Sequence, residues 1–196
     1  MGKDLLPAKI LKNYEVHEWK HACAILKNDF PNEWADIIKV LSSYKLCKSY
    51  MIDAGGGKSA SSKSLDSAFY RLGWEERKFE TKIVVDNHEA VTPTHKVDCV
   101  KNKVALEIEW SNKDPFFDRD LNNFRLLFDL RAIGVGVIIT KSDELRELME
   151  KLDVWSKYGT TTTWMKKLIP RIEGGGGAGC PILVFGIKKE LYNAKC

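Results

Sequence analysis

No stretch of this chain approaches 18 consecutive apolar residues, so a membrane span is not expected. The opening MGKDLLPAKILKNYEV lacks an apolar core of leader length, so a secretory leader is not expected either. The five cysteines, Cys23, Cys47, Cys99, Cys180 and Cys196, make no CxxC pair and are odd in number. That excludes a zinc ribbon, predicts no disulfide framework and suits a reducing cytoplasm. The four histidines, His17, His21, His88 and His95, follow no nucleophile elbow and pair with no serine or cysteine at a catalytic spacing, so each reads as a surface or core residue.

Charge of one sign is not in large excess. Thirty-one Lys and Arg against 27 Asp and Glu leave +4 and a pI near 8.7, a balance that permits contact with phosphates without establishing it. GGGKS at 55–59 invites a nucleotide-binding reading, but a P-loop needs glycine five residues before its GK pair, and Ile52 stands there with no strand before it. The segment is expected to be a surface loop, with or without contact to a DNA backbone. Internal repeats and linkers are absent. With 196 residues, 44% of them hydrophobic, the chain is expected to fold as one domain over 1–196.

Between Tyr14 and Tyr50 the apolar residues Val16, Trp19, Ala22, Cys23, Leu26, Trp34, Ile37, Ile38 and Leu41 recur at steps of three and four. They predict two helices broken near Pro31, and a short helix follows in LDSAFYRLGW. After Trp74 the pattern turns to period two or to continuous apolar runs: TKIVVD, HKVDCV, KVALEIEW, VGVIIT and CPILVFGI. Two helices, 118–130 and 143–152, separate some of these runs. The fold class is therefore α/β, with a mixed central sheet flanked by helices, a helical N-terminal part at 10–75, and the sheet at 79–190.

Three carboxylates in the strands need a reason. In KVALEIEW, Val104, Leu106, Ile108 and Trp110 share one face, while Ala105, Glu107 and Glu109 share the other. Two acids side by side repel unless a cation lies between them. Asp98 stands nine residues before Glu107, and a turn at Lys101–Asn102 would fold it back beside that face. Oxygen donors of this kind suit magnesium. The alternative is a wet strand face with Asp98 in a turn.

SNKDPFFDRDLNNF follows at once. Its Ser111, Asn112, Lys113, Arg119, Asn122 and Asn123 have the donors and acceptors that base edges and phosphates require, interleaved with apolar Phe116, Phe117 and Phe124. A major-groove reader fits, and so does a capped helix start with solvated charges. Four threonines, Thr160, Thr161, Thr162 and Thr163, disfavour a helix, so they either reach bases or form a polar strand edge.

The run HKVDCVKNKVALEIEWSNKDPFF resembles the BglII and BstYI group of type II restriction endonucleases, with the BamHI-like enzymes more distant. The likeness extends to VHEWKHACAILKNDFPNEW, to the segment ending at Trp74, and to the late Thr-rich loop and PILVFGI strand. It implies a PD-(D/E)xK core with Asp98 and Glu107 as magnesium ligands. Glu109 then stands in the place of the motif lysine and activates water. The resemblance further implies a homodimer enclosing double-stranded DNA, a GATC-centred palindromic site, a 5′ overhang with 5′-phosphate ends, and a cognate DNA methyltransferase. Glu76 and Arg77 fall at an active-site position of these relatives, and Arg77 or Lys103 is the expected source of charge at the scissile phosphate. Two other functions use the same core: a structure-specific repair or junction nuclease, and a DNA-binding protein that does not cut.

Overall fold

The computed structural model describes residues 2–52 and 57–196. Its N-terminal half runs α1 (Ala8–Asn13), β1 (Tyr14–Trp19), α2 (Ala22–Asp29), α3 (Pro31–Ser43), β2 (Leu46–Cys47), α4 (Lys48–Ile52) and α5 (Ala60–Tyr70). The C-terminal half continues with β3 (Glu75–Val85), β4 (His88–Lys101), β5 (Val104–Ile108), α6 (Phe116–Asp129), β6 (Val135–Lys141), α7 (Leu145–Lys151), α8 (Trp155–Tyr158), α9 (Met165–Glu173), β7 (Ile182–Ile187) and β8 (Tyr192–Asn193).

Six strands form one mixed sheet in the order β1-β7-β6-β5-β4-β3. Strands β5, β6 and β7 are parallel, while β1, β4 and β3 join antiparallel at either side. The parallel centre follows from covering on both faces. Val104, Leu106, Ile108, Leu183 and Phe185 pack under the N-terminal helices, whereas Ala105, Ile138, Ile182 and Val184 meet α6 and α9. Each such side chain taken fully out of water contributes about 1.5–3 kcal/mol. Gly136 on β6 lies under the Phe124 ring, where a Cβ would overlap the aromatic carbons, so α6 can approach the sheet closely.

The mixed α/β architecture agrees with the sequence reading, with three differences. The segment from Tyr14 to Trp19 is a strand, although its apolar residues also fit a helical step. Tyr14 and Val16 alternate with less buried neighbours, and pairing to β7 supplies the hydrogen bonds that decide the matter. Next, the turn between β4 and β5 falls at Asn102–Lys103 rather than Lys101–Asn102, because Lys101 pairs with Val104 and Asn102 takes φ of +50°. Finally, Cys47 and Cys196 form a disulfide across 149 positions. The two-stranded sheet of β2 and β8 brings those ends together, a tertiary proximity invisible in cysteine spacing. Cys23, Cys99 and Cys180 are free and buried. Among the described residues no helix is long and apolar enough to cross a membrane.

Candidate active site

The β4–β5 hairpin builds the site. Cys99 pairs with Leu106, which sets Asp98 opposite Glu107 one step further from the turn. The Asp98 N–H donates to Glu107 Oε2 at 3.2 Å, and the Ile108 N–H donates to Asp98 Oδ2 at 2.9 Å. Strand alternation puts Glu107 and Glu109 on the α6 side, each 1% exposed. The Glu109 N–H donates to the Ile139 carbonyl, so this carboxylate is held by the sheet beyond the end of β5.

A cleft of about 370 Å³ opens over Asp98 and Glu109, walled by Lys58, Ser62, Glu76, His95, Lys96, Ser111, Asn112 and Arg119. Lys58 Nζ lies 2.8 Å from Asp98 Oδ1 and 2.6 Å from Asp66 Oδ2. Ser59 caps α5 by accepting from the Ser62 N–H, which fixes the residue after Lys58 and sets Asp66 on the inner side of that helix. From α6, Asp120 is fully buried, with Oδ1 at 3.2 Å from His95 Nε2 and 2.9 Å from the Arg119 guanidinium. His95 Nε2 lies 3.4 Å from Glu107 Oε1. Arg119 stacks on the Phe116 ring, and Asn112 Nδ2 donates to Glu109 Oε2 at 2.9 Å.

The electrostatics follow from burial. Desolvation first, then the neighbouring Asp120 and Asp98, push the Glu107 carboxyl far above the usual range. Burial and Asp120 raise Glu109 to about 9. Asp66 rises to about 6, again chiefly through burial, although Lys58 pulls it down. Burial works against the Lys58 ammonium, but the two carboxylates outweigh it and hold its proton more tightly than usual. A lone buried carboxylate costs roughly several kcal/mol, so this group is stable only protonated or beside a cation.

That is the test for a metal. Glu107 Oε1, Asp120 Oδ2 and His95 Nε2 are buried with no hydrogen-bond partner among the described residues. Donor atoms of the three residues lie within 4.8 Å of one another. Asp98 and Glu107, two acidic side chains paired across the hairpin at the cleft, have the oxygen donors that fit a divalent cation, and the unsatisfied His95, Glu107 and Asp120 cluster lies beside them.

The other sequence candidates divide. Ser111, Asn112 and Arg119 line the cleft, while Lys113 and Asn122 are exposed near it or further along α6. Thr160 and Thr161 are exposed, and Thr161 Oγ1 accepts from Lys113. Thr162 and Thr163 point inward: Thr162 donates to the Tyr158 carbonyl, and Thr163 lies on the Lys141 ammonium. Asn123 is buried on the inner side of α6. Glu76 reaches the cleft, but Arg77 alternates away onto the Phe79 ring, and Lys103 sits in the hairpin turn at the far end from Asp98. Of the 55–59 loop, Gly55 and Gly56 lie outside the described residues.

Sequence reasoning missed Lys58, Asp66, His95 and Asp120. One signal was present: Asp120 falls on the apolar stripe of Phe117, Leu121 and Phe124, where a carboxylate must be buried.

A mixed sheet covered by helices, with buried carboxylates on a hairpin at the floor of an open cleft, defines the restriction-endonuclease-like class of fold. The family described as restriction endonuclease BglII/BglIII matches residues 14–187, and the chain belongs to it. It is therefore a member of a family of DNA-cleaving hydrolases. No curated protein matches the sequence.

Proposed function

We propose that the chain is a type II restriction endonuclease that hydrolyses double-stranded DNA at a short palindromic site, with magnesium, to leave 5′-phosphate ends. One observation carries this reading: in a chain of the restriction-endonuclease family, Asp98, Glu107 and Glu109 stand together at the hairpin, with Asp98 and Glu109 lining an open cleft. Asp98 and Glu107 would hold the magnesium ion, which when bound would offset the carboxylate charge, favour the ionised form of Glu109 and acidify a water.

The chain's own residues do the rest. Glu109, aimed by Asn112 Nδ2, accepts the proton of the attacking water. The water oxygen bonds to phosphorus as the bond to O3′ breaks, and the departing O3′ takes a proton from solvent water to become the 3′-hydroxyl. Lys58, rather than Lys103 or Arg77, is placed to face a non-bridging phosphate oxygen, because its ammonium already lies at Asp98. Ser111, Asn112, Lys113, Arg119 and Asn122, with Thr160 and Thr161, present polar groups to the duplex.

The full proposal is a homodimer acting in the cytoplasm on a GATC-centred site with a 5′ overhang, alongside a cognate DNA methyltransferase. Digestion of a mapped plasmid with Mg²⁺, followed by sequencing of the ends, tests it. Discrete cuts at one sequence are expected. Cuts set by DNA structure, or DNA binding without cleavage under any divalent ion, would overturn it.

A further inference from the structure

We propose that His95, Glu107 and Asp120 form a second metal subsite that takes a first-row divalent transition ion, Mn²⁺, Co²⁺ or Zn²⁺, through an imidazole nitrogen. The proposal deepens the nuclease reading by sharing Glu107 with it.

Three elements converge to make the site: β4 brings His95, β5 brings Glu107 and α6 brings Asp120. Nε2 of His95 is 3.2 Å from Asp120 Oδ1 and 3.4 Å from Glu107 Oε1. An ion bonded at about 2.0–2.2 Å in tetrahedral or octahedral geometry holds neighbouring donors about 3.0–3.5 Å apart. The two His95 separations match edges of such a polyhedron, donor atoms of all three residues lie within 4.8 Å of one another, and Asp120 keeps Oδ2 unpartnered while Arg119 holds its Oδ1.

A competing account is an imidazolium bridging two carboxylates. In that case the Nε2–H would be spent on one oxygen, yet neither contact has hydrogen-bond geometry, and both His95 Nε2 and Glu107 Oε1 are buried without a hydrogen-bond partner among the described residues. Glu107 is 1% exposed and Asp120 0%. An unspent nitrogen and an unspent carboxylate oxygen 3.4 Å apart are what a bound cation satisfies.

The subsite is separate from the magnesium position because Glu107 divides its oxygens. Oε2 accepts from the Asp98 N–H on one side, and Oε1 faces His95 on the other. A nitrogen donor disfavours magnesium, which prefers oxygen and water, and favours the later first-row ions. His95 also lines the cleft, which gives an ion its entry path.

Pulsed EPR of the full chain loaded with Mn²⁺ tests this directly. The wild type is expected to show ¹⁴N modulation from a coordinated imidazole, and Asp98→Asn is expected to retain it. His95→Gln is expected to lose it and to bind one fewer Mn²⁺ per chain by titration, with His95→Asn as the second variant should the first fail to fold. Asp120→Asn is expected to weaken this Mn²⁺ site at least tenfold. Absence of the nitrogen signal in the wild type, or its survival in a folded His95 variant, overturns the proposal. The readout does not involve DNA. A chain that gives the signal but cuts nothing sinks the nuclease reading alone, and one that cuts with Mg²⁺ but gives no signal sinks the subsite alone.

Discussion

The Lys58 ammonium sits 2.8 Å from the Asp98 carboxylate, although the two residues lie 40 positions apart and on different elements. Glu109 lines the cleft from beyond the end of β5, and Lys58 brings a cation to the same cleft from the segment before α5. Replacing Lys58 by Ala is expected to slow single-turnover cleavage by about 10²-fold, the scale of losing one charge-stabilising donor. Lys58→Arg should recover part of the rate. An unchanged rate for Lys58→Ala would remove this residue from the chemistry.

Glu107 is buried with its Oε1 lacking a hydrogen-bond partner among the described residues, so its charge is tolerated for function and costly for folding. Glu107→Gln is expected to reduce cleavage by at least about 10³-fold while raising the melting temperature of the metal-free protein, the stability–function opposition expected of a strained site. Calorimetry and a plasmid assay on the same preparation check both halves. A variant that loses activity together with stability would point to a structural role.

The pH dependence has a definite sign. Glu109 is raised to about 9 and Asp66 to about 6, and Glu107 is shifted in the same direction, so the folded chain holds these protons more tightly than the unfolded one. Their contribution to stability is full below the usual carboxylate range and is lost as pH rises toward 9. The metal-free melting temperature is expected to fall between pH 5 and pH 9 for that reason, and added divalent ion should stabilise more at pH 8 than at pH 6. Melts over a pH series with and without Ca²⁺, a non-catalytic substitute, measure it.

Lys141 contributes with the opposite sign. Fully buried among Trp110, Tyr158 and Trp164, it donates to the Trp110 carbonyl, and burial lowers its pKa to about 7. Between that value and the usual lysine range the unfolded state binds the extra proton, so stability from this group rises with pH. The melting temperature of the wild type relative to Lys141→Met is therefore expected to increase from pH 7 to pH 10. A difference that stays flat with pH would show that the amine is not titrating in the fold.

The Cys47–Cys196 bond ties Cys196 to the strand before α4, and neither residue lines the cleft over Asp98 and Glu109. Cys196→Ser is expected to cost about 2–5 kcal/mol of stability and to leave the cleavage rate at temperatures below the melt unchanged. Denaturant unfolding with and without reductant provides the comparison.

Much of β5 was legible because period two is a local property. Val104, Leu106 and Ile108 on one face and Glu107 and Glu109 on the other follow from backbone geometry alone, and a short turn suffices to return Asp98. The same logic failed at Tyr14–Trp19, where six residues fit both periods and only the β7 partner decides between them. It also failed for the threonine run. Thr162 and Thr163 face inward because the bridge between Thr162 and Lys113 and the buried Lys141 ammonium claim them.

By itself the sequence determined the α/β class, the carboxylate pair on one strand face and the polar helix start beyond it, since each depends on neighbours a few residues apart. Only the tertiary structure decided what surrounds Glu107. His95, Asp120, Lys58 and Asp66 come from β4, α6, the segment before α5 and α5 itself, and no spacing encodes their meeting. Their convergence depends on how helices pack on the two faces of a twisted sheet, which is set by the whole core rather than by any one segment.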